Sequence, residues 1–175
     1  MGTRGAIGVM HGDKAKVIYC HWDSYLEGVG RILFDHYDSP KANYLVALGG
    51  ISSLGKVIGE QHPFSKNDIE KDDPEAETKL KLLAQAEAED WTTFYGRDRG
   101  ESGNEYVVCN SDEEMYEHFS WCEYFYIMRD GVWYVSQGPD TKWQELAVAL
   151  AELDIENAED ALPDESVLIK QLVGA

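Results

Sequence analysis

The sequence predicts an α+β fold: a single domain, residues 1–175, with an antiparallel sheet of about five strands and helices packed on it. Three observations carry this expectation. Residues 4–22 and 121–136 each read as a β-hairpin around a glycine-containing turn. Capping signals open helical stretches elsewhere. A chain of 175 residues with 43% hydrophobic content suits one undivided core.

Each element has a local reason. In the first hairpin Ala6, Gly8 and Met10 alternate with Ile7 and Val9, residues 11–14 supply turn chemistry, and Val17-Ile18-Tyr19-Cys20 returns. Leu26, Val29, Leu33 and Tyr37 then fall on one helical face. Gly28 and Gly30 weaken the first turns of that helix by about 1 kcal/mol each against alanine. Asp38-Ser39-Pro40 ends it, and a short helix over 41–48 stops at Gly49-Gly50. Residues 59–74, polar and holding Pro63 and Pro74, read as a long loop. Asp73-Pro74-Glu75 gives an N-cap, an N1 proline and an acidic first turn for a helix reaching about Asp90. Residues 97–104, charged and glycine-rich, read as a surface loop.

A short strand is expected at 106–109, followed by a capping box from Ser111 to Glu114 that opens a short helix. The strands at 121–128 and 132–136 should pair across Asp130-Gly131, with one face buried and the other more exposed. A second capping box, Thr141 to Gln144, should open a helix striped by Trp143, Leu146, Leu150 and Leu153. Pro163 separates it from final helical turns at 164–172.

Composition narrows the function. No run approaches the roughly 20 apolar residues of a membrane span, and the N-terminus lacks the plan of a secretion signal, so a cytoplasmic address is expected. Cys20, Cys109 and Cys122 lie in apolar or aromatic runs without CxxC spacing and read as buried free thiols. Charge is the outstanding feature. Residues 1–60 carry six basic and six acidic side chains, so the formal charge of −18 falls wholly on residues 61–175. Such a field repels nucleic acid and anionic membrane and attracts basic partners. Salt adaptation is a poorer account, because ten lysines against five arginines is the wrong bias for it.

The acids concentrate at 68–77, 112–117 and 152–165. After residue 100 only Arg129, Lys142 and Lys170 relieve 17 acids, whereas a merely solubilising surface mixes its signs. Candidate binding residues are Asp112, Glu113, Glu114, Glu117, Glu152, Asp154, Glu156, Glu159 and Asp160. Duplex DNA presents one negative charge per roughly 1.7 Å of axis. An exposed acidic face imitates that array in part and fits a basic groove.

A second candidate is the corner His21-Trp22-Asp23-Ser24-Tyr25. In an extended strand His21 and Asp23 share a face and could converge on a ligand or metal. The simpler reading has Asp23 or Ser24 capping the next helix. Nucleophilic catalysis has thinner support: Cys20 and His21 point to opposite faces of a strand, and no GxSxG, HExxH or P-loop occurs.

The stretch Gly2-Thr3-Arg4-Gly5-Ala6-Ile7-Gly8, with Asp13-Lys14, Tyr19, His21, Asp23-Ser24-Tyr25 and Gly28 or Gly30, resembles a group of uncharacterised phage and prophage proteins. These carry a Thr-Arg-Gly-like start and a Tyr-x-His-x-Asp-Ser/Gly-Tyr-Pro segment. The resemblance covers about the first 35 residues, with a fainter echo at 121–135. Leu26 stands where that group usually has proline. The resemblance implies a phage setting and a shared corner of Arg4, His21, Asp23 and Tyr25, but no reaction.

The reading that results is an accessory protein without a cofactor. It binds a host or defence protein with a basic surface, and it contacts neither nucleic acid nor membrane. The alternative is a small-molecule binder or hydrolase built on Arg4, His21, Asp23 and Tyr25.

Overall fold

The computed structural model describes residues 2–161. β1 (Gly5–His11) and β2 (Lys14–Cys20) form the expected hairpin, closing on a two-residue turn at Gly12-Asp13. A π-helical turn over Leu26–Gly30 leads into α1 (Arg31–His36), and Asp38 caps α2 (Ser39–Ala47) by accepting from the Lys41 backbone N–H. Gly28 is required here, since a Cβ at that position would meet the Asp23 carbonyl oxygen at 2.1 Å. Gly28 thus permits a tight joint, beyond the expectation that it weakens a helix.

β3 (Ile51–Ser53) follows, then a long irregular segment to α3 (Ala76–Glu89). Asp73 accepts from the Glu75 backbone N–H, so its capping turn lies just ahead of the helix and not at its N-cap. β4 (Thr93–Phe94), α4 (Tyr95–Arg99) and β5 (Val107–Cys109) precede α5 (Asp112–His118). At α5 Ser111 accepts from the Glu114 N–H, while the Glu114 carboxylate accepts from the N–H of Asn110, one residue ahead of the N-cap, at 2.7 Å.

β6 (Tyr124–Arg129) and β7 (Val132–Ser136) pair antiparallel across Asp130-Gly131, both with positive φ as a type I′ turn demands. Trp121 lies outside this hairpin, in the approach to β6, and is 47% exposed. β8 (Gln144–Glu145) and α6 (Leu146–Ala161) complete the described chain. The helix expected at 164–172 lies outside the described residues.

The antiparallel five-stranded expectation is corrected. Eight strands form one mixed sheet in the order β4-β3-β2-β1-β6-β7-β8, with β5 paired to β2. β1 runs parallel to β6 and β2 parallel to β3, and the other pairs are antiparallel. Both faces are covered. On one lie Ile7, Ile18, Cys20, Tyr126, Trp133 and Val135, under Val29, Leu33, Leu45, Leu146 and Leu150 from α1, α2, α6 and the π-helical turn. On the other lie Ala6, Val17, Phe125 and Ile127, under Met115 and Phe119 of the α5 region. β1 and β6 therefore show no alternation of buried and exposed residues, whereas β7, the other strand of the second hairpin, keeps the expected alternation from Val132 to Val135.

The second capping box is also corrected. Thr141 accepts from the Gln137 N–H and donates to the Gly138 carbonyl, so it closes a loop. The free edge of β7 draws Gln144 and Glu145 into a ladder, and the helix starts at Leu146. Trp143 leaves the expected stripe, stacks on Tyr116 and donates to Asp112.

No helix among the described residues is long and apolar enough to cross a membrane. Cys20, Cys109 and Cys122 are buried thiols. Burial pushes Cys20 and Cys122 up to about 12.

Candidate functional site

The candidate acids lie on exposed surface, but not on one surface. α5 covers one face of the sheet and α6 the other, so Asp112, Glu113, Glu114 and Glu117 are separated by the sheet from Glu152, Asp154, Glu156, Glu159 and Asp160. Several are also engaged in the fold. Asp112 accepts from Trp143, Glu114 from Asn110, and Glu152 from Gln144, while Asp154 pairs with Arg31 at 2.6 Å. Among the described residues Glu113, Glu117, Glu156, Glu159 and Asp160 make no side-chain bond.

α6 changes character along its length. Its inner stripe is apolar through Leu146, Ala149, Leu150 and Leu153, then turns polar at Asp154 and Asn157, which bond Arg31 and Glu27. The outer stripe, at i, i+4, i+7 and i+11, is Val148, Glu152, Ile155 and Glu159. Val148 is 44% and Ile155 59% exposed, and every residue from Asp154 to Asp160 is exposed. The outward face of this helix is thus two apolar residues set among carboxylates.

The N-terminal corner does not converge. The strand ends at Cys20, and Asp23 takes a left-handed conformation (φ 57°), which breaks the shared face expected of His21 and Asp23. His21 Nδ1 lies 2.7 Å from the Tyr19 hydroxyl. Arg4, Asp23 and Tyr25 are exposed. The expected side-chain cap is absent: Tyr25 occupies the N-cap position, and Ser24 is buried with its hydroxyl 3.4 Å from the Cys20 carbonyl. The corner is held by the backbone: the Ser24 N–H donates to the Thr3 carbonyl, and the Val29 N–H donates to the Asp23 carbonyl. The Tyr126 hydroxyl adds a 2.6 Å bond to the Ser24 carbonyl. No group of three metal-ligating side chains occurs among the described residues.

The most ordered polar constellation lies in segments read from the sequence as loops. The Asp98 carboxylate, fully buried, accepts from the His62 and Phe94 backbone N–H groups and from both Nε and Nη2 of Arg97. Arg97 also donates to the carbonyls of Ile58, Gly59 and Thr92 and lies over the Phe94 ring. His62 is 4% exposed, with Nδ1 2.9 Å from the Glu60 carbonyl and 3.5 Å from Asp98. The expected surface loop at 97–104 therefore begins inside α4, with Arg97 and Asp98 turned inward. The adjacent opposite charges of Arg97 and Asp98 are the one sequence signal that pointed here.

The larger cavities lie away from the N-terminal corner. One of about 540 Å³ opens between the α1–α2 junction and the β6–β7 turn, one of about 410 Å³ lies between β5 and α5 beside Glu114 and Glu117, and two of about 290 and 280 Å³ flank His62. Comparison with family models, with curated proteins and with solved structures returned no match.

Proposed function

We propose that this protein acts by binding a partner protein with a basic surface, and that the outward face of α6 is the contact. The observation that carries this reading is the outer stripe Val148, Glu152, Ile155, Glu159, flanked by Glu156 and Asp160. Exposed apolar residues ringed by charge suit an interface better than a solubilising face, because the apolar pair anchors while the carboxylates steer. The phage setting implied by the N-terminal resemblance makes a host or defence protein the expected partner.

DNA mimicry enters this proposal in a reduced form. Five acids from Glu152 to Asp160 span about 12 Å of helix axis, a mean spacing of about 3 Å against about 1.7 Å for duplex DNA. Asp154 is moreover partly neutralised by Arg31. A partner seated on α6 meets this patch alone, since the α5 acids lie across the sheet. The alternative, a small-molecule site at Arg4, His21, Asp23 and Tyr25, has less support, because the main cavities of the described residues are lined elsewhere.

The test is capture from a bacterial lysate at low and high salt, comparing the wild type with two charge-reversed variants. Glu152→Lys, Glu156→Lys and Glu159→Lys together should abolish capture of any partner released by salt, because the contacts are screened beyond about 8–10 Å at physiological ionic strength. Asp112→Lys with Glu113→Lys should leave it intact. Equal capture by the wild type and the α6 variant overturns the reading.

A further inference from the structure

His62 is held as few structural histidines need to be. Its Nδ1 sits 2.9 Å from the Glu60 carbonyl, which can only accept, so Nδ1 carries a proton. The Arg97 Nη2, 3.5 Å from Nδ1, already donates to the Thr92 carbonyl at 2.9 Å and to Asp98 at 3.1 Å. The other ring nitrogen, Nε2, makes no hydrogen bond among the described residues. Nor does any fully buried side-chain nitrogen or oxygen there lack a partner, so Nε2 is not fully enclosed, and His62 lines two clefts. Most buried side-chain nitrogens have a partner within the fold, and Nε2 has none among the described residues.

His62 and Phe64 together line both flanking clefts. The larger adds Pro63, Ile69 and Leu82 as apolar wall. The walls are fixed in advance. Phe64 carries the Arg99 guanidinium over its face at 3.6 Å and packs against Tyr95, while Trp91 meets the His62 ring edge-on at 5.6 Å. Asp98 and Arg97 anchor the segment that holds His62 in place. Of the other polar groups lining it, Lys79, Asp68 and Asp98 are already paired, with Asp73, Arg99 and Arg97, which leaves His62 and Gln61 beside the apolar wall.

We propose that the paired cleft at His62 binds a small ring alcohol, of phenolic type, whose hydroxyl donates to Nε2 while its ring lies against Phe64, Ile69 and Leu82. An imidazole with its single proton on Nδ1 presents an acceptor at Nε2, and a hydroxyl is a small donor that fits beside the apolar wall of Pro63, Phe64, Ile69 and Leu82. A volume of about 290 Å³ is ample for one ring. The site is independent of α6 and stands whether or not that helix is an interface.

The experiment is a titration of the full chain with phenol, and separately with toluene, followed by backbone amide and histidine side-chain ¹⁵N resonances. Phenol should saturate, moving the His62 Nε2 resonance together with the amides of residues 61–64. Toluene should bind about tenfold more weakly, the loss of one hydrogen bond to a buried acceptor. Leu82→Trp, a half-buried position on α3, should fill the cleft and remove phenol binding while leaving the spectrum of the remaining residues in place. The proposal is overturned if phenol produces no saturable shift in the wild type, if toluene binds as well as phenol, or if a folded Leu82→Trp binds phenol undiminished.

Discussion

Two histidine–aspartate pairs invite comparison. His21 and Asp23 are near neighbours in sequence, sit in a conspicuous polar cluster, and share no hydrogen bond in the fold. His62 and Asp98 are 36 residues apart, lie in stretches that look like loops, and meet in the interior. The difference is one of backbone. At the corner the chain turns through a left-handed residue, so side chains that a continuing strand would have aligned diverge. At His62 two irregular segments have their peptide groups satisfied by one carboxylate and one guanidinium, which forces inward the polar side chains that loops ordinarily expose. Convergence of reactive groups here follows from where the backbone needs partners, not from how close the residues stand in the chain.

The largest effect should come from raising the pH, which tests the core beneath both regions. Burial raises Cys20 and Cys122 from 9.0 to about 12, and Tyr19 and Tyr37 from 10.0 to about 12. Each is an acid kept neutral by folding. Its stabilisation is whole below the unfolded value and is lost as pH climbs toward the folded one. Urea midpoints should hold to about pH 9 and fall steadily between 9 and 12; a flat profile to pH 12 would contradict this burial.

Next in size, Asp98→Ala should destabilise by roughly 3–5 kcal/mol, since it strands a largely buried guanidinium and two backbone N–H groups. Denaturant unfolding monitored by tryptophan fluorescence reads it. A cost below 1 kcal/mol would mean that the carboxylate is dispensable.

At the corner the prediction divides backbone from side chain. Gly28→Ala should cost about 1–3 kcal/mol, because its Cβ collides with the Asp23 carbonyl and the joint must shift. His21→Ala combined with Asp23→Gly should cost less than about 1 kcal/mol, glycine being at ease at a positive φ. Were the double change the costlier of the two, the corner would be a side-chain assembly after all.

Local signals carried well where the chain decides locally. Gly12-Asp13 and Asp130-Gly131 specify their hairpins, and Ser111 with Glu114 specifies the start of α5, because turn and cap chemistry act over a few residues. The parallel union of β1 with β6 has no such signal. Its only trace is that Ala6–Met10 and Phe125–Met128 lack polar alternation, which marks strands covered on both faces but not which strand lies beside which. β3, β4 and β8 are two or three residues long and exist because a neighbouring edge offered partners. The acids were easy to count, yet their division between opposite faces depended on which face of the sheet each helix covers. His62 and Asp98 were hidden because composition marks loops as exposed, and only the fold reveals a loop that is buried.

The parallel seam at the middle of the sheet has a consequence for biosynthesis. β1 and β2 can close on each other as soon as both leave the ribosome, but the other edge of β1 finds its partner only after residue 124 has emerged. At about 5–20 residues per second that edge stays open for several seconds. Ala6, Ile7, Val9 and Met10 are apolar and present unpaired peptide groups throughout, a template for pairing with any extended chain nearby. The nascent protein is thus most vulnerable at its oldest strand. Its yield in the cell should depend on how quickly the last hairpin emerges, and slow codons translated before that emergence should lower it.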